Sequence, residues 1–337
     1  MLFIATRRFP ESDVARLEAR GVTLVYGGNP DADPHGATRD DYLAGIFALP
    51  EETRHAAVGL IIDCFHITAQ LLDACPNVRW AHHPGAGVNS GDFWTDWALL
   101  RERGVIVTTA KIHAVPISEM IVAYVLALSK HLPQYLARQK RHVYREDEHL
   151  PSLILDGKTA LILGTGHVGA ETARKLKLAF GMTTIGVNSD GRPVDYFDRT
   201  CTLDGLDECL PLADYVISTS VLVKATRHMI DARRIGLMKP SAFLINPSRG
   251  SLIVEDDLVA ALKSRRIAGA ALDSYEVEPL AKDSPLWDLD NVILTPHVSG
   301  GRPGYNTAVI DRLLANLDYF RAGRIDEMIE VANVKEY

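Results

Sequence analysis

The run Leu161-Ile-Leu-Gly-Thr-Gly-His-Val-Gly169 constrains this chain more than any other stretch. A short apolar segment passes directly into Gly-x-Gly-x-x-Gly, and a helical stretch, Ala170 to Phe180, follows at once. The glycine pattern alone is weak in a chain with 25 glycines. A strand before it and a helix after it make it specific. Gly164 allows the tight turn, Gly166 lets backbone approach a pyrophosphate, and Gly169 lets the helix pack against the strand. The helix N-terminus adds N–H donors and partial positive charge. The segment is therefore expected to bind a dinucleotide.

Which dinucleotide depends on the end of the next strand, Met182 to Val187. An acidic residue there would bind the ribose 2′-hydroxyl of NAD. Asn188 stands in that place, followed by Ser189, Asp190, Gly191 and Arg192. A neutral Asn does not repel a 2′-phosphate, and Ser189 and Arg192 are candidate donors to one. Asp190 is acidic, and Asn188 could also bond an ordinary ribose. The balance favours NADP over NAD.

Length implies about two domains. An apolar content of 47% with 23% charged residues fits a globular chain with a large core. A net charge of −7 argues against nucleic-acid binding. Cys64, Cys75, Cys201 and Cys209 show no C-x-x-C spacing, so they read as reduced thiols in a cytoplasmic protein rather than a metal site or a disulfide framework. Met1 to Thr6 lacks the apolar length of a signal peptide, and no segment has the apolar run of a membrane span.

Apolar strands alternate with helical periods, which implies parallel α/β sheets. The first series of strands falls at 2–5, 22–26, 59–63, 78–82 and 105–108, with helices near 12–19 and 68–74 and a loop at 27–38. The second falls at 160–163, 183–187, 215–218, 242–245, 268–272 and 292–294. Between them, Pro116–Lys130 is apolar on every side and is expected to lie between domains or subunits. The amphipathic stretch Asn306–Gly323 is expected to return to the first domain. That gives a discontinuous domain, 1–110 with 299–337, and a dinucleotide domain, 111–298.

Ligands of such sheets bind beyond the carboxyl ends of strands. Three ends of the second series carry reactive groups: Asn246-Pro-Ser-Arg249-Gly250, Asp273-Ser-Tyr-Glu-Val-Glu278-Pro279 and Thr295-Pro-His297-Val-Ser-Gly300. This is a kit for reducing a ketone. Arg249 can grip the carboxylate of a 2-oxo acid and polarise its carbonyl. His297 can protonate the carbonyl oxygen as hydride reaches carbon, and act as base in the reverse direction. Glu278 can orient the imidazole and favour its protonated form.

These residues resemble the D-isomer-specific 2-hydroxyacid dehydrogenase family, which includes glyoxylate/hydroxypyruvate reductases and phosphoglycerate dehydrogenases. The resemblance spans nearly the whole chain. It implies a flavodoxin-like substrate domain and a Rossmann cofactor domain, both doubly wound parallel α/β sheets. It further implies catalytic roles for Arg249, Glu278 and His297, and places His167 and Val168 near the pyrophosphate. Pro247, Ser248, Arg249, Asp273, His297 and Gly300 come to the nicotinamide side, with Asp273 meeting the carboxamide. Gly85-Ala86-Gly87-Val88 resembles a loop whose N–H groups bind the substrate carboxylate, which makes Ala86 and Gly87 substrate-binding. A homodimer exchanging a long helix is implied. The chain departs from the family at Asn89-Ser90-Gly91-Asp92, at Val221-Leu222-Val223 and at Asn188. Cys64, Phe65 and His66 are candidates for the substrate pocket or for structure. The rival readings are a dinucleotide-sensing co-repressor and a dehydrogenase of another small anion, such as formate or phosphite. The chain shows no appended low-complexity or basic arm, and formate enzymes of this fold usually carry Gln where Glu278 stands.

Overall fold

The computed structural model describes residues 1–28, 39–85, 87–89, 94–144 and 152–332. Two units form: Met1–His113 with Arg302–Tyr337, and Ala114–Gly301. Most of the expected loop at 27–38 lies outside the described residues, as do Ala86, Ser90, Gly91 and Asp92.

Five parallel strands make the sheet of the first unit: β1 (Leu2–Ala5), β2 (Thr23–Tyr26), β3 (Ala57–Ile61), β4 (Trp80–His83) and β5 (Ile106–Thr109). Their order is β2-β1-β3-β4-β5, the flavodoxin-like arrangement. Side chains alternate between the faces of a strand. Phe3 and Ala5 therefore pack on one face with Trp80 and with Val309, Ile310, Leu313 and Leu317 of the helix Tyr305–Arg321. Ile4 and Leu60 pack on the other, with Leu43, Ile46 and Leu71.

A line of hydrogen bonds runs through this core. Trp80 Nε1 donates to Thr108 Oγ1 at 2.8 Å, and that hydroxyl lies 2.8 Å from His82 Nδ1. His82 Nε2 lies 3.1 Å from the Val309 carbonyl. One neutral tautomer satisfies every member: the hydroxyl donates to Nδ1 and Nε2–H donates to the carbonyl. Burial pushes His82 down to about 4, which keeps the ring neutral.

Seven parallel strands form the second sheet: β6 (Thr159–Leu163), β7 (Thr183–Val187), β8 (Arg199–Cys201), β9 (Tyr215–Ser218), β10 (Phe243–Asn246), β11 (Gly269–Leu272) and β12 (Val292–Leu294). The order β12-β11-β10-β9-β6-β7-β8 reverses between β6 and β9, as in a Rossmann sheet. The expected fold class is what the chain adopts. Strand β8 was not expected, because Arg-Thr-Cys offers no apolar run and remains at least partly exposed. At β3 the strand ends at Ile61, two residues earlier than expected.

The apolar helix, Ala114–Ser129, packs within the second unit. Ile121, Tyr124, Val125 and Leu128 are buried in the core of the second unit beside Ala173 and Leu176 of the helix His167–Phe180. Ile117, Met120, Val122 and Leu126 also pack against that core. Much of its apolar circumference is thus covered within its own unit. Among the described residues, no single helix is long and apolar enough to cross a membrane.

The neutral His82 makes stability depend on pH. Unfolded, a histidine near 6.5 accepts a proton that the folded ring refuses until about 4. Folding is therefore unpenalised above about 6.5 and weakens as pH falls through that window, by up to roughly 1.4 kcal/mol per pH unit for one group. Urea midpoints measured between pH 7.5 and 5 should fall with acid, and His82→Asn should flatten the dependence.

Candidate active site

The glycines of the fingerprint divide by what surrounds them. Gly164 has φ +103°, and a Cβ there would lie 2.7 Å from the Thr219 carbonyl oxygen. A Cβ on Gly169 would lie 2.0 Å from the Gly164 carbonyl oxygen. Packing within the chain demands both. Nothing lies within 4 Å of where a Cβ on Gly166 would be. That open space is where a group from outside would press against the backbone. The helix His167–Phe180 begins here with no side-chain cap and no acidic residue in its first turn, so its leading N–H groups suit an anion. His167 is exposed and Val168 half-buried. The residues fit a dinucleotide.

At the end of β7, Asn188 is engaged locally. Its Oδ1 accepts from the Gly191 N–H at 2.6 Å, and its Nδ2 donates to the Arg192 carbonyl at 3.0 Å and to Thr165 Oγ1 at 3.2 Å. The side chain thereby shapes the 188–192 turn. Arg192 is paired with Asp190, Nη1 to Oδ2 at 3.0 Å, and both are exposed. The expected phosphate donor thus already has an anionic partner. Ser189 is exposed beside them.

Two of the three reactive strand ends meet at one buried carboxylate. Asp273 follows β11 and is fully buried. It accepts from Thr295 Oγ1 at 2.5 Å, from Val298 N–H at 2.9 Å and from Ser299 N–H at 2.8 Å. Tyr124 of the apolar helix lies 2.5 Å from the same threonine hydroxyl. These bonds bracket His297, whose φ of +52° is unusual for a residue with a side chain. The Asp273 carboxylate has about one acceptor position left for a ligand. Gly300 follows, half-buried.

His297 Nδ1 lies 2.7 Å from Glu278 Oε2, while Glu278 Oε1 accepts from the Tyr275 N–H at 3.0 Å. An anionic acceptor at Nδ1 fixes the proton there and leaves Nε2 as the working atom. Burial alone would raise the Glu278 carboxyl. The His297 hydrogen bond and charge, with help from Tyr275 N–H and the Arg249 charge, outweigh it and hold the carboxyl below its usual value. Arg249 therefore lies within electrostatic reach of the pair. Its Nη1 donates to the Ser248 carbonyl at 2.8 Å, and Ser248 Oγ donates to the Ser218 carbonyl at 2.6 Å. Pro247 is buried beneath them.

Gly250 is the residue that residue-type reasoning passed over. A Cβ on it would lie 1.8 Å from the Tyr275 carbonyl carbon and 2.3 Å from Glu276 N. The backbone after Arg249 thus presses directly on the backbone before Glu278. His228 reinforces the junction: its N–H donates to the Ser251 carbonyl at 2.8 Å, and its Nε2 lies 2.6 Å from Glu276 Oε1. A glycine after a site arginine was the available signal, visible in the sequence but without a partner to give it meaning.

In the first unit, the expected carboxylate loop is described at Gly87 but not at Ala86. His83 Nε2 lies 3.1 Å from the Gly87 carbonyl, and His83 Nδ1 lies 3.2 Å from Asp63 Oδ1. Burial would raise Asp63, but His83 and Arg7 hold it well below the usual carboxylate range. Cys64 is buried with its Sγ 3.4 Å from Thr95 Oγ1, and burial pushes the thiol up to about 12. His66 stacks on Tyr42 at 4.3 Å, and burial pushes it down to about 4. Phe65 is half-buried beside it.

Gly250→Ala should push the Arg249 and Glu278 segments apart. Turnover is expected to fall by about 10² or more, the usual consequence of a 1 Å misplacement of catalytic groups. Dinucleotide affinity, measured by fluorescence titration, should change far less. Wild-type turnover in that variant would show that the contact is unimportant.

Comparison with known proteins gives a consistent result. A family model described as "D-isomer specific 2-hydroxyacid dehydrogenase, NAD binding domain" matches residues 122–299. The chain is 28% identical to the glyoxylate reductase of Thermococcus onnurineus (strain NA1), over 99% of this chain and 97% of that one. It is 30% identical to glyoxylate/hydroxypyruvate reductase B of Yersinia pestis bv. Antiqua (strain Nepal516), over 83% and 85%. A solved D-isomer specific 2-hydroxyacid dehydrogenase family protein from Aeromonas salmonicida subsp. salmonicida A449 shares 27% identity, with a TM-score of 0.77 over 98% of each chain. A dinucleotide sheet matched by its family model, and relatives that align beyond it into the other unit, make this chain a member of the D-isomer specific 2-hydroxyacid dehydrogenase family and an NAD(P)-binding enzyme.

Proposed function

We propose that the enzyme reduces a small 2-oxo acid to a D-2-hydroxy acid with NAD(P)H. The observation that carries this reading is the His297–Glu278 pair, held at 2.7 Å with Nε2 left over. The names of the relatives, glyoxylate and hydroxypyruvate reductases, support a substrate of two or three carbons.

A nicotinamide bound beside these strand ends would supply hydride to the carbonyl carbon. Arg249 binds the substrate carboxylate with its guanidinium fork and draws electron density from the carbonyl. His297 gives the Nε2 proton to the developing alkoxide, and Glu278 stabilises the ring while it is charged. Asp273 keeps the His297 turn in place. The Gly85–Val88 loop offers backbone N–H groups to the carboxylate, and the site works in a cytoplasmic homodimer. An apolar stripe of Leu132, Tyr135 and Leu136, exposed on the helix Leu132–Lys140, supports association with a second copy.

NADPH is the proposed partner. No carboxylate stands at 188 to repel its 2′-phosphate, and an exposed ion pair such as Arg192–Asp190 is weak enough for a phosphate to displace. Arg192→Ala should lower kcat/KM for NADPH by roughly tenfold or more, the worth of a charged hydrogen bond, with little effect on NADH. Asp190→Asn should favour NADPH further. If neither variant changes the ratio between the cofactors, there is no 2′-phosphate site at this turn.

Glyoxylate, hydroxypyruvate, pyruvate, phenylpyruvate and 2-oxoisocaproate, each tested with NADH and NADPH, decide the substrate. Inactivity toward all of them would defeat the proposal. His297→Ala should cut turnover by about 10² to 10⁴. Glu278 gives a pH signature. A carboxyl lowered by folding contributes above its ordinary range and loses that contribution as pH falls through the lowered value. The wild-type pair should thus persist into mild acid. Glu278→Gln removes the anion beside the ring, so the alkaline limb of the reduction profile should move to lower pH. An unmoved limb would place Glu278 outside the proton relay.

A further inference from the structure

Two sulfurs lie beside the strand that holds the turn carrying Asn188. Cys201 ends β8 and Cys209 ends the short helix Leu206–Cys209, and their Sγ atoms are 3.3 Å apart. At that separation the two share one hydrogen bond, in which either can be the donor. The Arg199 guanidinium donates to Cys209 Sγ at 2.9 Å. Cys201 is half-buried while Cys209 is fully buried, so only the first faces solvent. The strand that holds Cys201 is the outermost of its sheet, and it grips the 188–192 turn directly. Asn188 N–H donates to the Cys201 carbonyl at 3.0 Å, and Thr200 Oγ1 donates to the Gly191 carbonyl at 2.9 Å.

We propose that Cys201 and Cys209 are a redox-modified site, closed to a disulfide by exchange with a small organic disulfide, and that closure loosens the hold on the adenosine end of the dinucleotide. The second half rests on the reading that the 188–192 turn borders the adenosine ribose. In the first step the pair loses a proton and the Cys201 thiolate attacks one sulfur of the disulfide. A mixed disulfide forms, and one small thiolate leaves. Cys209 then gives up its proton, with Arg199 beside it, and attacks the Cys201 sulfur. The second small thiolate leaves as the protein S–S bond forms. Two protein thiols lose two electrons and two protons, and the reagent becomes two thiols. Burial and the neighbouring sulfur push the Cys201 thiol up, so the first step quickens from neutral to alkaline pH. Closing the gap between the sulfurs draws the end of β8 toward the short helix and pulls on the Asn188 bond.

The full chain treated with glutathione disulfide, as wild type and as Cys201→Ser, tests this. Both sulfurs fall in one tryptic peptide, Thr200–Lys224. In the oxidised wild type that peptide should lose two hydrogens and resist alkylation at both positions, and dithiothreitol should reverse the change. KM for NADH and NADPH should rise by roughly fivefold or more, the lower end of ordinary coupling between sites, with kcat little altered. Cys201→Ser should show neither effect. Full alkylation of both thiols, or a glutathione adduct that persists on Cys201, would overturn the site. A disulfide that forms without changing either KM would overturn its link to the cofactor. Failure of the underlying reading looks different: Arg192→Ala and Asp190→Asn in the reduced protein would then leave KM for both dinucleotides unchanged, whatever the peptide mass shows.

Discussion

A buried carboxylate is tolerated only when donors replace the water it has lost. Asp273 meets that condition with the Thr295 hydroxyl and the N–H groups of Val298 and Ser299. Its three donors come from the two sides of His297, so the electrostatic need of one side chain dictates the conformation of another. The left-handed backbone at His297 has a cost that the local sequence does not repay. Asp273 repays it from the neighbouring strand. Tyr124 extends the arrangement to the apolar helix through the same threonine, and burial raises its phenol, keeping it a donor.

The second constraint is steric. Polar bonds hold the His297 turn, whereas backbone pressed on backbone at Gly250 sets the spacing of the Arg249 and Glu278 segments. The two devices tolerate different things. A hydrogen bond can lengthen by tenths of an ångström, but a carbonyl carbon 1.8 Å from a would-be Cβ leaves no room at all. Precision in this site therefore comes from an absent methyl group as much as from charged side chains.

Much of this was legible before the fold was known. Apolar strands such as Leu161–Leu163 and Val216–Ile217 announce a buried parallel sheet because both faces need cover. The glycine fingerprint and the Arg249, Glu278 and His297 ends are legible because each residue type has few other uses in that setting. What stayed hidden depends on partners far along the chain. Arg199–Cys201 carries no periodic signal, and becomes a strand only because β7 offers it an edge. That Asp273 also holds the His297 turn shows only when its three donors are seen. The pairing of Arg192 with Asp190, two residues away, shows only in the folded turn. The apolar helix Ala114–Ser129 looks as though it needs a second chain, yet the helix His167–Phe180 and the sheet beneath cover much of it.

The return of the helix Tyr305–Arg321 to the first unit has a consequence for synthesis. Phe3, Leu17 and Trp80 leave the ribosome early, but Leu313 and Leu317, which complete their core, are made after the whole second unit. Vectorial synthesis therefore exposes one apolar face of the first sheet throughout the translation of residues 114–301. The second unit has all its strands in one continuous stretch and is free to fold during that interval. The first to be made is thus the last to be finished, and its open face is the chain's period of greatest exposure to chaperones and to aggregation.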